Sequence, residues 1–409
     1  MEGNNINSDY WLQEHLPHSS FTEPSGEACD HYHRYEEDIK LLAAAGLNAY
    51  RFSIEWARIE PEEGKFDERE VEHYRDVIRC CKANGVEPIV TLLHFTSPAW
   101  LIRKGGWEAE STIKYFRRYA AYVTEKLGGE LNYICTINEA NMGLQLAAIA
   151  RRFTLMAKQA AKAKSAEGTV QVGMNFEKMM ENMKFAAIEN AQAFGTPQPQ
   201  IFVSSRTPEG DALVFRAHRE AKEVIKALYP NIKVGITLSM HDLQALPGGE
   251  SFAEAAWDEE FKHYLPFIAD DDFLGVQNYT RTQYGPAGQL PCPEGAELTQ
   301  MDYEFYPEAL EHVIRRVHED FKGDLIVTEN GVAVSDDSRR VEFIRRALAG
   351  VESCVKDGIP VKGYMYWSLM DNFEWQKGFS MTFGLIAVDR ATQARMPKPS
   401  LSFLGAQRL

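Results

Sequence analysis

The chain is short of four things, and each shortage removes a class of function. No apolar run approaches the roughly 20 residues that cross a bilayer, so no membrane-spanning helix is expected. Positive charge is scarce: 44 Lys and Arg against 59 Asp and Glu leave a net charge of −15. That balance disfavours phosphate backbones and anionic headgroups, so neither nucleic acid nor a membrane surface is expected as partner. Only six cysteines occur, at 29, 80, 81, 135, 292 and 354, without framework spacing. The neighbours Cys80 and Cys81 fall on one expected helix and cannot readily join each other, so reduced thiols are expected. The opening residues Met1-Glu2-Gly3-Asn4-Asn5-Ile6-Asn7 lack the basic and apolar regions of a secretory leader. These features together predict a cytoplasmic protein.

What the chain has in abundance is alternation. Strands are expected at Asn48–Ile54, Glu87–Phe95, Leu131–Asn138, Ile232–Met240, Phe273–Tyr279, Asp324–Thr328 and Lys362–Ser368, with helices between them. Three helical stripes stand out: Val71, Tyr74, Val77, Ile78 and Cys81; Leu310, Val313, Ile314, Val317 and Phe321; and Val341, Ile344, Leu348, Val351 and Val355. Repeated strand–helix units predict a parallel sheet, and the length suits a closed (β/α)8 TIM barrel with its active site at the C-terminal strand ends. The count gives seven strands, and the first regular element is a helix, about Tyr35–Ala45, with Ile39 and Leu42 toward a sheet. The expected fold is therefore a single barrel domain over residues 1–409 that lacks the N-terminal first strand.

One long irregularity, about 143–210, follows the strand ending at Asn138. It contains an Ala- and Lys-rich helix (Leu155–Ala166), a Met-rich stretch (Met174, Met179, Met180, Met183) and a Pro-Gln-Pro-Gln turn. Because it leaves a strand tip, it should rise over the active-site face as a lid or wall. A surface excursion packing its methionines on itself is the equal alternative.

The strand ends carry the chemistry. Leu325-Ile326-Val327-Thr328 runs into Glu329, then the turn Asn330-Gly331; Ile134-Cys135-Thr136-Ile137 runs into Asn138-Glu139. Either glutamate alone is most simply a solvated strand-end residue. Two of them at one mouth are not, because a carboxylate at a buried tip is costly unless something uses it. The other strand ends contribute Arg51, His94, Gln277-Asn278-Tyr279 and Trp367, and the following loop adds Asp371-Asn372-Phe373-Glu374-Trp375. No Ser or Cys nucleophile with a matching base appears. Aromatic faces with amides and carboxylates suit a sugar ring, and a carboxylate pair suits glycosidic cleavage.

These pieces resemble glycoside hydrolase family 1, the β-glucosidase family, over nearly the whole chain. The matches are Tyr-Arg-Phe-Ser-Ile-Glu-Trp (50–56), Thr-Ile-Asn-Glu-Ala (136–140), Val-Thr-Glu-Asn-Gly (327–331), Trp-Ser-Leu-Met-Asp-Asn-Phe-Glu-Trp (367–375) and Gly-Phe…Phe-Gly-Leu (378–385). The resemblance implies a retaining β-glycosidase acting by double displacement on terminal non-reducing β-D-glucosyl residues, with β-galactosyl and β-fucosyl left open. It implies Glu329 as nucleophile and Glu139 as acid/base. Asn138 would hold the sugar 2-hydroxyl and His94 the 3-hydroxyl, while Tyr279 and Arg51 orient the nucleophile. Trp367 would floor the sugar site, with Glu374 and Trp375 on the outer hydroxyls. Partners would be β-glucosides or short β-linked oligosaccharides, with no cofactor and no metal; whether the chain forms a homo-oligomer is left open.

The departures from the family are specific. The family's first strand ends in a Gln just before a Glu-Gly pair, and this chain begins at Glu2-Gly3, which agrees with the count of seven strands. Its absence raises the alternative of a catalytically impaired sugar-binding barrel. Gln277-Asn278-Tyr279 replaces Asn-Tyr-Tyr, and Phe95 follows His94 where many members have Trp. Glu374 would repel a phosphate, which argues against phosphorylated sugars, and Glu139 is not the Gln of thioglucosidases. A rival metal-dependent hydrolase rests on His31-x-His33, but the polar Thr22–Asp30 before it is no strand and no partner ligands complete a site. The two histidines are expected in a loop near the barrel face.

Overall fold

The structure, a computed structural model, describes residues 2–159 and 171–407. Seven strands build one parallel sheet: β1 (Ala49–Ser53), β2 (Glu87–Leu93), β3 (Tyr133–Ile137), β4 (Lys233–Ser239), β5 (Phe273–Gln277), β6 (Asp324–Asn330) and β7 (Val361–Tyr366). They neighbour one another in chain order, every pair parallel. The apolar runs of β2 to β6 are covered on both faces, which is why they read as continuous rather than alternating. β1 and β7 are only half-buried along most of their length.

Among the described residues no ladder joins β7 back to β1, so the barrel is open along one seam, as expected from the seven-strand count. A cavity of about 250 Å³ follows it. Its lining runs from Leu42, Leu47 and Ala49 at one end, past Arg51, Thr328 and Met365, to His94, Trp367 and Trp375 at the other. Residues 2 and 3 sit beyond the C-terminal end of β1, where Tyr74 donates its hydroxyl proton to Glu2 at 2.8 Å and offers its oxygen to the backbone N–H of Glu55.

The helices longer than two turns are α1 (His31–Ala44), α2 (Glu68–Ala83), α3 (Ser111–Leu127), α4 (Met142–Gln159), α5 (Phe176–Phe194), α6 (Pro208–Leu228), α7 (Glu250–Glu260), α8 (Ala309–Asp320) and α9 (Asp337–Lys356). The stripe of α2 is wholly buried, and so is that of α8 with Phe321 just beyond it. The α9 stripe is buried at Ile344, Leu348 and Val351, whereas Val355 is exposed and Cys354 faces inward instead. No helix among the described residues is long and apolar enough to cross a membrane.

Four expectations need correction. The helix expected from Tyr35 begins at His31, because its first turn, His-Tyr-His-Arg, carries no apolar stripe to announce it, and it is not the first regular element, since a short helix, Asp9–Glu14, precedes it. His31 and His33 are thus helical rather than loop residues, and they diverge: His31 bonds Asp38 and Tyr50, while His33 turns to Asp30 at the surface. Glu329 lies inside β6 rather than beyond it, since its backbone still pairs with Gln277. The Met-rich stretch does not pack on itself: Met179, Met180 and Met183 on α5 are exposed and only Met174 is buried. The expected helix Leu155–Ala166 falls mostly outside the described residues.

Candidate active site

Glu139 follows β3 by two residues. Its φ of +45° puts a non-glycine residue in the left-handed region, a strained conformation of the kind that gathers at functional sites. Two β4 groups hold it there: its N–H donates to Thr237 Oγ1 at 3.0 Å, and the next N–H, of Ala140, donates to the Thr237 carbonyl. The side chain is 2% exposed and its Oε2 has no hydrogen-bond partner among the described residues. Burial, and then the nearby charge of Glu329, push its pKa well above the ordinary carboxyl value.

Glu329 is equally buried but differently furnished. Arg51 Nη1 donates to its Oε1 at 2.7 Å, and the Tyr279 hydroxyl donates to its Oε2 at 2.5 Å. Burial raises its pKa too, but both of these donors pull it back. One carboxyl is therefore fitted on both oxygens with donors that favour its anion, while the other keeps an unpartnered oxygen in surroundings that favour its proton. Environments that push two carboxyls apart in this way divide acid from anion.

The other expected residues converge on this pair. Arg51 Nη2 donates to Asn138 Oδ1, which also accepts from Gln277 Nε2 at 2.9 Å and Thr237 Oγ1 at 3.2 Å. That fixes the amide with its nitrogen toward His94 Nε2, 3.4 Å away. His94 is held neutral, its pKa driven well down by burial and by Arg51, so its Nε2 can accept. Its ring stacks on Trp367 with centroids 5.6 Å apart and lies 6.0 Å from Trp375. Glu374 is buried beside them, with a pKa raised to about 8 by burial and then by Glu329. Phe95, the replacement for Trp, packs against Trp375 at 5.3 Å. Gly331 lets the tips of β6 and β7 meet, since a Cβ there would lie 1.9 Å from the Trp367 carbonyl oxygen.

The model of glycosyl hydrolase family 1 matches residues 4–167 and 293–406. The chain belongs to glycosyl hydrolase family 1. A β-glucosidase of Agrobacterium sp. is 30% identical over 415 residues, covering 94% of this chain and 86% of that one. A 6-phospho-β-galactosidase of Lacticaseibacillus casei is 29% identical over 420 residues, covering 91% and 87%. The crystal structure of the β-glycosidase BGL167 superposes with a TM-score of 0.86 at 44% identity, over 99% of this chain and 92% of that one. This family 1 chain is an O-glycoside hydrolase, β-glucosidase-like in its relatives and its fold.

Four further residues of this family 1 site escaped the sequence reading or were given no role by it. Gln277 donates to Asn138 and accepts from Thr237. Thr237 and Ser239, alternate residues at the end of β4, line the site behind Glu139; two polar residues at period two in an apolar run were a usable signal. Tyr303 is buried in one cluster with Tyr279 and Trp367, its hydroxyl without a partner among the described residues, and no local pattern marks it.

Proposed function

We propose that this glycosidase hydrolyses terminal non-reducing β-D-glucosyl residues with retention of configuration. The unequal furnishing of Glu139 and Glu329 carries the reading. Glu329, ionised against Arg51 and Tyr279, attacks C1 while Glu139 gives its proton to the departing glycosidic oxygen. A C1–carboxylate bond forms as the C1–oxygen bond breaks. Glu139, now ionised, takes a proton from water, the water oxygen attacks C1, and Glu329 is released. Asn138 and neutral His94 hold the 2- and 3-hydroxyls, Trp367 underlies the ring, and Glu374 and Trp375 hold the outer hydroxyls.

Glu374 favours a neutral sugar over a phosphorylated one. Protonated up to about pH 8, it can donate and accept with a hydroxyl, and it brings no positive charge to a phosphate. The alternative of an impaired sugar-binding barrel gains no support from the relatives. Residues 1–409 are read as one catalytic domain, acting in the cytoplasm on β-glucosides or short β-linked oligosaccharides.

The test is hydrolysis of aryl β-glycosides followed by proton NMR. The β-anomer of glucose should form first; the α-anomer first would overturn retention. Substrates differing only at the 4-hydroxyl, or carrying a 6-phosphate, decide the sugar: a faster galactoside or phosphoglucoside would overturn the glucosyl assignment.

A further inference from the structure

The excursion between β3 and α6 returns one side chain to the catalytic centre. Gln171 is 4% exposed and joins two separate elements. Its Oε1 accepts from the backbone N–H of Tyr279 at 2.7 Å, and its Nε2 donates to Ser239 Oγ at 3.0 Å. The polarity of this bridge has no alternative. A backbone N–H can only donate, so the amide oxygen must face Tyr279 and the amide nitrogen must face Ser239. Because Ser239 Oγ accepts from the amide nitrogen, its own proton cannot point at Gln171 and is left for a second partner, for which the neighbouring Glu139 carboxyl is the candidate. On the other arm, the Tyr279 hydroxyl donates to Glu329. One glutamine stands a single residue away from each of the two carboxyls.

The segment that carries Gln171 is clamped to the loop after β7. The backbone N–H of Gln376 donates to the Gly173 carbonyl at 3.0 Å, and that of Asn175 donates to Gln376 Oε1 at 2.8 Å. Gly173 lies so close that a Cβ there would be 2.5 Å from the Glu374 carbonyl oxygen. Position 171 falls outside both stretches that match the family model.

We propose that Gln171 is a positioning residue of the hydrolytic reaction, fixing the direction of the Ser239 hydroxyl toward Glu139 and the seat of Tyr279 beneath Glu329. The inference rests on the roles proposed above for those two glutamates. A glutamine that merely satisfied two buried groups would leave the reaction's proton inventory alone; this one predicts a change in it. The groups that face Glu139 are Glu329 from β6, Arg51 from β1, Glu374 from the loop after β7, and the hydroxyls of Tyr279 and Tyr303. Against them the Ser239 hydroxyl favours the Glu139 anion, so losing its direction raises the proton affinity of Glu139.

Two variants test this. Gln171→Met keeps the length and removes both bonds. Gln171→Glu keeps the acceptor for Tyr279 but, ionised, draws the Ser239 proton to itself. With an aryl β-glucoside, kcat/KM of Gln171→Met should fall about tenfold. In both variants the basic limb of its pH profile should move up by about half a unit, because that limb reports the proton on Glu139. Variants with kcat/KM within about twofold of the parent and an unmoved basic limb would overturn the proposal. If Gln171→Met fails to fold, Gln171→Glu decides alone. Carbon-13 NMR titration of the Glu139 carboxyl, assigned with Glu139→Gln, gives a reading that needs no turnover. A parent silent on every aryl glycoside would sink the proposed function, whereas a Glu139 titration identical in parent and variants would sink the bridge.

Discussion

Arg51 and Glu329 form an ion pair at 2.7 Å inside the barrel, each side chain almost wholly buried, and the pair links the first strand to the sixth. It sets the state of the proposed nucleophile. Replacing Arg51 by Met removes the charge that lowers the Glu329 pKa, so that pKa rises. The acid limb of kcat/KM, which needs the Glu329 anion, should then shift to higher pH, and activity at neutral pH should fall by about a hundredfold or more. Stability above the raised pKa should drop by about 3 kcal/mol, the cost of stranding a buried charge. A pH–rate profile and urea melts check both.

Glu329 and Glu139 should fail in different ways. Glu329→Ala should abolish turnover, with azide restoring it and yielding the inverted glycosyl azide. Glu139→Ala should slow substrates with poor leaving groups far more than those with good ones, since a good leaving group needs no proton. Equal losses on both substrate types would contradict the assignment.

The buried acids make the free protein sensitive to alkali. Glu374 and Glu55 have pKa values raised to about 8 and about 7, in both cases chiefly by burial. A carboxyl whose folded pKa lies above its unfolded value binds its proton more tightly when folded. Its stabilising contribution is complete below about pH 4.5 and is lost as pH rises through the folded pKa. The melting temperature should therefore fall between about pH 4.5 and pH 8, and Glu374→Gln or Glu55→Gln should flatten that fall. The expected effect is about 1–3 kcal/mol per group. A melting temperature that rises over the same interval would contradict it.

Gly331→Ala tests the join between β6 and β7. Its added carbon meets the Trp367 carbonyl, and a backbone atom cannot swing aside. The variant should lose about 3 kcal/mol of stability and most of its activity, because the strand tips carry the candidate site residues Glu329 and Trp367. Thermal melts and a single-substrate assay measure it.

Much of this fold is legible in the amino-acid sequence, for identifiable reasons. The strands of a parallel sheet are apolar on both faces, so β2 to β6 stood out as runs with polar tips, and several of those tips meet around Glu139 and Glu329. The missing signals have equally physical causes. The first turn of α1 is polar, so periodicity could not place its start at His31. Thr237 and Ser239 are marked only by their alternation at the end of β4. Gln171 was not legible at all: its role depends on a long excursion folding back between Ser239 and Tyr279, and nothing in its neighbours, Val172-Gly173, announces that.

The seam between β1 and β7 also gives the barrel a mechanical character. A closed ring of strands resists radial strain because every strand is held from both sides, whereas a C-shaped sheet can flex about its far wall. The far wall here is β4, and the two free lips are β1 and β7. Arg51 rides on one lip while Glu329 stands one strand in from the other, so each outward flexing of the lips lengthens the ion pair between them. Any opening of the seam would therefore strain the contact that favours the Glu329 anion. Native-state hydrogen exchange reads it directly: amides of β1 and β7 should exchange well before those of β3 to β5, and a glycone-like inhibitor bound across the strand tips should slow the lips most.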